Sequence, residues 1–345
     1  MEWCRLPGRR KRSAGSNARL GVHGENAPLD VIRICIGGIH GFGWSRMNED
    51  RAKELVGKRI DELFNRDGEV NPSYYDIEFP LLDWSGKLQG KPVYQLVSGE
   101  RTQNLTIPCY DTSLYFDDLH LENDSDAVDL IKSEALAGWD AGHRAFKLKV
   151  GRGAMHMPLQ RGTERDIAII HGVRQAVGPD ARMMIDANNG YNLNLTKEVL
   201  RETKEANLTW IEEPFHEDPQ FLRNLKEWMK EEGLSVMVTD GEGNAALQVV
   251  EWAKQGYLDA IQYDILHYGF HKWKHLGGEL DSANVYSAPH SYGCAFGHYA
   301  LGHLAPSIKK FLCIEWDEIS VDGLDSAAYV ISNGAVHVPD KPDLD

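Results

Sequence analysis

Eight short apolar runs, separated by helix-like stretches, follow one another from residue 104 onward and limit the possible folds more than any other feature. Each run ends in polar or charged side chains. Several linking stretches, such as 164–177 and 196–206, have the periodicity of amphipathic helices. The runs are LTIPCY (105–110), AFKLKV (145–150), RMMIDA (182–187), LTWIEE (208–213), SVMVTD (235–240), DAIQYD (259–264), NVYSAP (284–289) and FLCIE (311–315).

Strands that alternate with helices imply parallel pairing through βαβ crossovers. Eight such units in roughly 210 residues predict an α/β fold of the (β/α)-barrel type. A doubly wound open sheet is the alternative, but no glycine-rich phosphate turn follows the first run at Tyr110. In a barrel of this type, active-site residues lie at the carboxyl ends of the strands.

The chain divides into four predicted segments. Residues 1–28 are basic and contain Gly, Ser and Asn, so we expect them to be disordered. Residues 29–103 combine one strand-like run with helical stretches and predict a small α+β domain. Residues 104–318 form the predicted barrel. Residues 319–345 include a hairpin with Asn333-Gly334 at its turn, and we expect this segment to pack back on the N-terminal domain.

The charge balance argues against two classes of partner. The chain has 37 basic and 52 acidic residues, a net charge of −15, and this field repels nucleic acid and anionic membranes. The run Arg9-Arg10-Lys11-Arg12 leaves a nucleic-acid or targeting tail as the lowest-ranked alternative. No apolar stretch follows it, and no run approaches the ~18 apolar residues of a membrane span.

The five cysteines do not form a recognisable framework. Their number is odd and no CxxC pair occurs, so neither a disulfide scaffold nor a thiolate zinc site is expected. A reducing, cytoplasmic location fits this usage.

Ionisable residues recur at the ends of the predicted strands. They are spaced by 22 to 37 residues, which matches the repeat of a barrel, so we expect them to form a ring around one cavity. The ring consists of Lys149, Asp186, Glu212, Glu242, Asp264, His290 and Glu315.

Three carboxylates, Asp186, Glu212 and Glu242, end successive strands without a His or Cys beside them. An all-oxygen ligand set suits Mg²⁺, whereas zinc or copper usually recruits imidazole or thiolate. Three separately solvated acids are the alternative. Carboxylates that converge on one cavity would repel each other without a cation, which favours the metal site.

The remaining rim residues predict proton transfer. Lys147 and Lys149 lie two apart on one strand and point to the same face. Their mutual repulsion near a dication would lower their pKa towards that of a general base. Asp264 and His290 end successive strands on the other side, where the carboxylate would fix the imidazole tautomer. Such a layout can remove a proton α to a carboxylate.

Recognisable motifs follow one another in order from about residue 30 onward. They are FKLKVG (146–151), MIDANNGY (184–191), WIEEPF (210–215), DGEGN (240–244), IQYD (261–264), APHSYG (288–293), CIEWDE (313–318) and, in the small domain, GFGW (41–44) and DWSGKLQGKPVYQLVSG (83–99). In this order and spacing they resemble the mandelate racemase branch of the enolase superfamily. Enolase-type sites combine the same ingredients, a Lys or His base with a Mg²⁺ site that stabilises an enediolate.

The resemblance implies a modified (β/α)7β barrel and a capping domain over residues 29–103. The family's capping domain begins with a strand and a mobile loop, which here would fall within residues 1–30, so we expect that strand to be missing or replaced. The implied site roles are Mg²⁺ ligation by Asp186, Glu212 and Glu242, base chemistry by Lys149, substrate carboxylate binding by Lys147, acid/base chemistry by His290 oriented by Asp264, hydrogen bonding to substrate by Glu315, and support by Asn188.

Three loop residues are further predicted substrate contacts: Trp44, His156 and Tyr292. Muconate-lactonising relatives carry Lys where this chain has Asp264, which disfavours cycloisomerase chemistry. A homo-oligomer is expected, as is common in families of this kind.

The leading hypothesis is a Mg²⁺-dependent hydro-lyase that acts on a sugar acid, an aldonate or aldarate, and yields a 2-keto-3-deoxy acid. A racemase or epimerase that uses Lys149 and His290 on opposite faces is the alternative. A third hypothesis, an inactive relative that acts as a binding protein, rests on the unusual N-terminus.

Overall fold

The computed structural model describes residues 1–66, 68–99 and 103–344. Residues 67, 100–102 and 345, which fall in the predicted capping domain and C-terminal segment, lie outside the described residues. Within the described part of the chain, no helix is both long and apolar enough to cross a membrane.

The N-terminal region pairs strands with short helices. Its strands are β1 (Glu2–Leu6), β2 (Gly8–Ala14), β3 (Gly24–Asn26), β4 (Leu29–Ile36) and β5 (Ile39–Trp44). Its helices are α1 (Glu49–Leu55), α2 (Ile60–Leu63), α3 (Glu78–Gln89) and α4 (Val93–Ser98). Gly41 and Gly43 let α3 approach β5, because a Cβ at Gly41 would lie 2.1 Å from the carbonyl oxygen of Pro80.

Residues 1–28 are ordered, so the prediction of a disordered N-terminus without a first capping strand is wrong. Strand β1 pairs antiparallel with β4, and β2 pairs with β3. The basic run lies on β2, where Arg10 bonds Asp317 at 3.0 Å and Arg12 bonds Ser113 Oγ at 2.6 Å. These arginines find their partners across long sequence separations, which composition alone does not reveal. The run is therefore an ion-paired strand, and the hypothesis of a nucleic-acid tail loses its basis.

The barrel strands follow in the predicted order and pair in parallel. They are β6 (Thr106–Leu114), β7 (Ala145–Lys149), β8 (Arg182–Asp186), β9 (Trp210–Glu212), β10 (Met237–Asp240), β11 (Ala260–Ile261), β12 (Tyr286–Ser287) and β13 (Ile314–Trp316). The connecting helices are α5 (Asp124–Asp140), α6 (Leu159–Val177), α7 (Leu193–Glu202), α8 (Pro219–Glu231), α9 (Val249–Lys254), α10 (Ile265–Tyr268), α11 (Phe270–Ser282) and α12 (Ala295–Leu304).

Strand β13 returns to pair with β6, and an isolated parallel bridge between Ser287 and Phe311 spans the remaining gap. This arrangement is the predicted TIM-type barrel with a capping domain. The large core cluster lies between the strands and the surrounding helices. A smaller cluster that includes Tyr110, Met184 and Trp210 belongs to the strands themselves.

The C-terminal segment contains β14 (Ile319–Val321), β15 (Val330–Ser332) and β16 (Ala335–His337). The hairpin turns at Asn333 and Gly334, both at positive φ, as the sequence predicts. It pairs with β6 of the barrel rather than with the capping domain, because β16 continues the edge that the start of β6 leaves open. The last residues reach the capping helices, where Leu344 N–H donates to Asp83 at 3.0 Å.

Candidate active site

Strand register brings the predicted rim residues together. Lys149 pairs with Asp186 across β7 and β8, and Asp186 pairs with Glu212 across β8 and β9. Paired residues on neighbouring strands point to the same face of a sheet. Glu242 follows β10 between Gly241 and Gly243, both at positive φ, and this turn brings its carboxylate back over the rim.

The carboxylates of Asp186, Glu212 and Glu242 form a compact acidic trio. One oxygen of each lies within 4.8 Å of the others, and all three residues are buried. Burial raises the pKa of Glu212, and the neighbouring carboxylate of Asp186 raises it further. The donor set is all oxygen, with no imidazole or thiolate in the trio, so these residues could hold Mg²⁺.

The two lysines neutralise one side of the trio. Lys147 Nζ lies 2.9 Å from both Glu212 and Glu315 and 3.4 Å from Asp186, whereas Lys149 Nζ bonds Asp186. Burial lowers the pKa of each lysine, but the surrounding carboxylates more than offset this effect and hold both pKa values above the usual one. These carboxylates belong to Asp186, Glu212, Glu242 and Glu315, and the lowering expected beside a dication stays a prediction.

His290 closes the opposite side of the trio. Its Nδ1 lies 3.0 Å from Asp264 Oδ2, and its Nε2 lies 2.9 Å from Glu242 Oε2. Burial lowers the pKa of His290, but Glu242 and Glu315 raise it well above its usual value. The strand ends carrying Asp264 and His290 meet in a parallel bridge. This side of the trio therefore carries an imidazole whose Nε2 faces Glu242.

Glu315 joins the two sides. Its Oε1 accepts a hydrogen bond from Thr112 Oγ at 2.6 Å, and its Oε2 accepts one from Ser291 N–H at 2.8 Å. Lys147 and His290 hold the pKa of Glu315 at about 2 despite burial, so it is ionised. Thr112 is not among the residues predicted from the sequence, although it lies on the barrel strand β6.

The N-terminal segment also reaches the site. Arg19 lies 2.9 Å from Glu213 Oε2 and 3.3 Å from Glu242 Oε1. Asn188 Nδ2 donates to the same two carboxylates, at 3.2 and 3.0 Å. Asn188 thus lies where it was predicted to support the acids. Arg19 and Glu213 were missed; Glu213 directly follows a predicted ligand, which was the available signal for it.

The three predicted loop contacts occupy different positions. Tyr292 stacks on Tyr115 at 5.1 Å between ring centroids, and Lys149 Nζ lies 5.2 Å from the Tyr115 ring. His156 contacts the N-terminal segment through the carbonyl of Asn17 at 2.7 Å. Trp44, in the capping domain, packs on Phe79 and on His267 of the barrel helix α10. Substrate contact by these three residues stays a prediction.

The fold and the acidic trio define an enolase-type (β/α) barrel protein. The family described as "Enolase C-terminal domain-like" matches residues 131–344, and the chain belongs to it. The resemblance to the mandelate racemase branch is confirmed.

Solved structures and curated proteins give more specific likenesses. Galacturonate dehydratase from Geobacillus sp., complexed with D-galacturonate and 5-keto-4-deoxy-D-galacturonate, is 49% identical with a TM-score of 0.96, covering 99% of this chain and 92% of that one. A Mg complex of a mutant of that enzyme is 48% identical with a TM-score of 0.98, covering 99% and 90%. Arabinonate dehydratase from Saccharolobus solfataricus is 23% identical over 81% of this chain and 71% of its own length.

Proposed function

We propose that this protein is a hydro-lyase that dehydrates a sugar acid, and that its substrate is a hexuronate of the D-galacturonate type. The observation that carries the proposal is the placement of proton-transfer groups on both sides of the acidic trio: Lys149 contacts Asp186, and His290 contacts Glu242. The likeness to galacturonate dehydratase over nearly the whole chain supports it. A hexuronate is neither an aldonate nor an aldarate, so the proposed substrate is a different class of sugar acid from the one that the sequence suggested.

The reaction breaks two bonds of the hexuronate and releases water. Lys149, once neutral, takes the proton from C5, the carbon α to the carboxylate. His290 gives a proton to the C4 hydroxyl as the C4–O bond breaks. The resulting C4–C5 enol becomes a 5-keto-4-deoxy acid. Mg²⁺ at the trio would supply positive charge that stabilises the negative charge on the substrate carboxylate in the transition state.

Other residues of the chain bind and orient the substrate in this proposal. Lys147 is buried and already holds Glu315, so it places a fixed positive charge at the rim for the substrate carboxylate. Glu315 is kept in place by Thr112 and by the Ser291 N–H. Asn188 and Arg19 hold Glu242 from the other side.

The test is turnover of D-galacturonate with Mg²⁺, with the 2-keto acid group detected by semicarbazide. We expect product from D-galacturonate and less from D-glucuronate, its epimer at the reacting C4. Aldonates and aldarates extend the screen. A protein that Mg²⁺ stabilises against heat but that dehydrates no sugar acid would overturn the proposal.

A racemase or epimerase is the second candidate, because Lys149 and His290 approach the trio from different sides. Deuterium uptake at the α carbon without loss of water would favour it. The third hypothesis, an inactive binding protein, rested on the N-terminus, and the ordered strands β1 and β2 remove that reason.

A further inference from the structure

A second histidine contacts the Asp264 carboxylate from outside the site. His267 Nδ1 lies 2.8 Å from Asp264 Oδ1, whereas His290 Nδ1 lies 3.0 Å from Asp264 Oδ2. The carboxylate therefore bridges two imidazoles: His290 in the site, with 19% of its side chain exposed, and His267, with 55% exposed. Asp264 and His290 are predicted site residues, whereas His267 is not.

Asp264 also begins helix α10, and this fixes which oxygen faces His290. Oδ1 accepts hydrogen bonds from the backbone N–H groups of Leu266 and His267, at 3.0 and 2.9 Å. Together with the His267 ring, these two groups give Oδ1 three hydrogen-bonding partners. A carboxylate held in this way at one oxygen has little freedom to rotate, so Oδ2 stays directed at His290.

The capping domain holds His267 in place. Trp44, at the end of β5, meets the His267 ring edge-on with centroids 5.9 Å apart, and Phe79 supports Trp44 from behind at 6.2 Å. Cavities of about 360 Å³ and 370 Å³ border His267 on two sides. The ring therefore has room to leave Asp264, and the hydrogen bond and Trp44 keep it there.

We infer that His267 is a positioning residue for His290 that acts through Asp264 and links the capping domain to the proton donor of the site. It does not touch the acidic trio or the lysines, so it has no part in metal binding. Its kinetic consequence rests on the proposed dehydratase function; its effect on the His290 ring does not.

The kinetic test compares His267→Ala, His267→Asn and His275→Ala, all with Mg²⁺ and D-galacturonate. Loss of an outer partner of a functional histidine costs on the order of tenfold, so we expect His267→Ala to lower kcat about tenfold. KM, Mg²⁺ affinity by calorimetry and Tm should stay near wild type. Asn keeps an N–H donor near the Nδ1 position, so His267→Asn should recover most of kcat.

His275 is the matched control, since it is also exposed and paired with a carboxylate, Glu69, at 3.4 Å. His275→Ala should retain wild-type kcat. An unchanged kcat in His267→Ala, or equal losses in the Ala and Asn variants with a lowered Tm, would overturn the inference.

Nitrogen NMR of the His290 ring gives a readout that needs no turnover. We expect His267→Ala to shift the His290 ring nitrogens, assigned by their absence in His290→Asn, and His275→Ala to leave them unchanged. If the wild type dehydrates nothing, the proposed function fails, and these shifts still decide the role of His267. Unchanged His290 signals in His267→Ala would refute that role.

Discussion

The barrel rim and strand β2 both bury charged groups, but they arrange them differently. At the rim, the single ammonium group of Lys147 lies within salt-bridge distance of three acids, Asp186, Glu212 and Glu315. On β2, Arg10 and Arg12 pair with separate acids, Asp317 and Asp111. Crowded rim carboxylates perturb each other, whereas Arg10 and Arg12 attach β2 to neighbouring parts of the chain. We therefore expect rim substitutions to change chemistry and β2 substitutions to change stability.

The largest expected effect is on turnover at the rim. General acid–base groups contribute about 10²–10⁴-fold to rate, so Lys149→Met and His290→Asn should each lower kcat by roughly 10³-fold. Circular dichroism is the control that each variant is folded, because Lys149 is a buried ion-pair partner of Asp186 and its loss also affects stability. Hydrogen exchange at the substrate α carbon in D₂O should persist in His290→Asn and vanish in Lys149→Met. Near-normal turnover in both variants would contradict the site assignment.

The next effect is on Mg²⁺ affinity. Glu212→Gln removes one charge from the trio and leaves Lys147 with one carboxylate fewer. Outer-shell substitutions at metal sites already cost about 10–100-fold, so a ligand substitution should weaken binding by at least that factor.

Glu213→Gln is the matched control for the metal prediction, because Glu213 is buried beside the trio but is not one of its three members. Calorimetry with Mg²⁺ should show a much smaller loss for Glu213→Gln than for Glu212→Gln. Equal losses of Mg²⁺ affinity in the two variants would contradict the assignment of Glu212 as a metal ligand.

The difference between the barrel rim and strand β2 also explains which contacts could be predicted from the sequence. The spacing of Lys149, Asp186 and Glu212 on successive strands places them together, because parallel register alone aligns strand ends. Arg10 and Arg19 find partners 307 and 194 residues away, and no local pattern encodes such pairs. The basic composition of residues 1–28 therefore suggested disorder, although its charges are matched by distant acids.

Stability at β2 gives the third prediction. The side chains of Arg10 and Asp317 are 6% and 1% exposed, and Arg10 also donates to the carbonyl of Gly24 at 3.2 Å. Burial raises the pKa of Asp317 to about 6 even though Arg10 opposes this shift. Removal of one partner of a buried pair costs about 3 kcal/mol or more, so Arg10→Met should lower the free energy of unfolding by about that amount.

Arg9→Met is the control for Arg10→Met, since Arg9 is the exposed neighbour on the same strand. Denaturant unfolding should show little change in Arg9→Met. If Arg10→Met were as stable as wild type, β2 would not be anchored by its charges, and the contrast with the rim would fail.

The smallest effect concerns acid stability and comes from His303, a buried imidazole outside both regions. Its Nδ1 accepts from Tyr94 N–H at 3.2 Å, so the neutral ring is the one that fits, and burial lowers its pKa from 6.5 to about 3. The folded protein then binds fewer protons than the unfolded chain between these values. The stability that this site contributes is fully present above the unfolded pKa and is lost as the pH falls towards the folded one. From about pH 7 to about pH 5 the loss is about 2 kcal/mol.

His303→Asn keeps an acceptor for Tyr94 and cannot be protonated, so its free energy of unfolding should fall less steeply over this range. The exposed His171→Asn should follow the wild-type slope. If His303→Asn kept that slope too, the acid sensitivity would have to arise from the carboxylates of the rim or of β2.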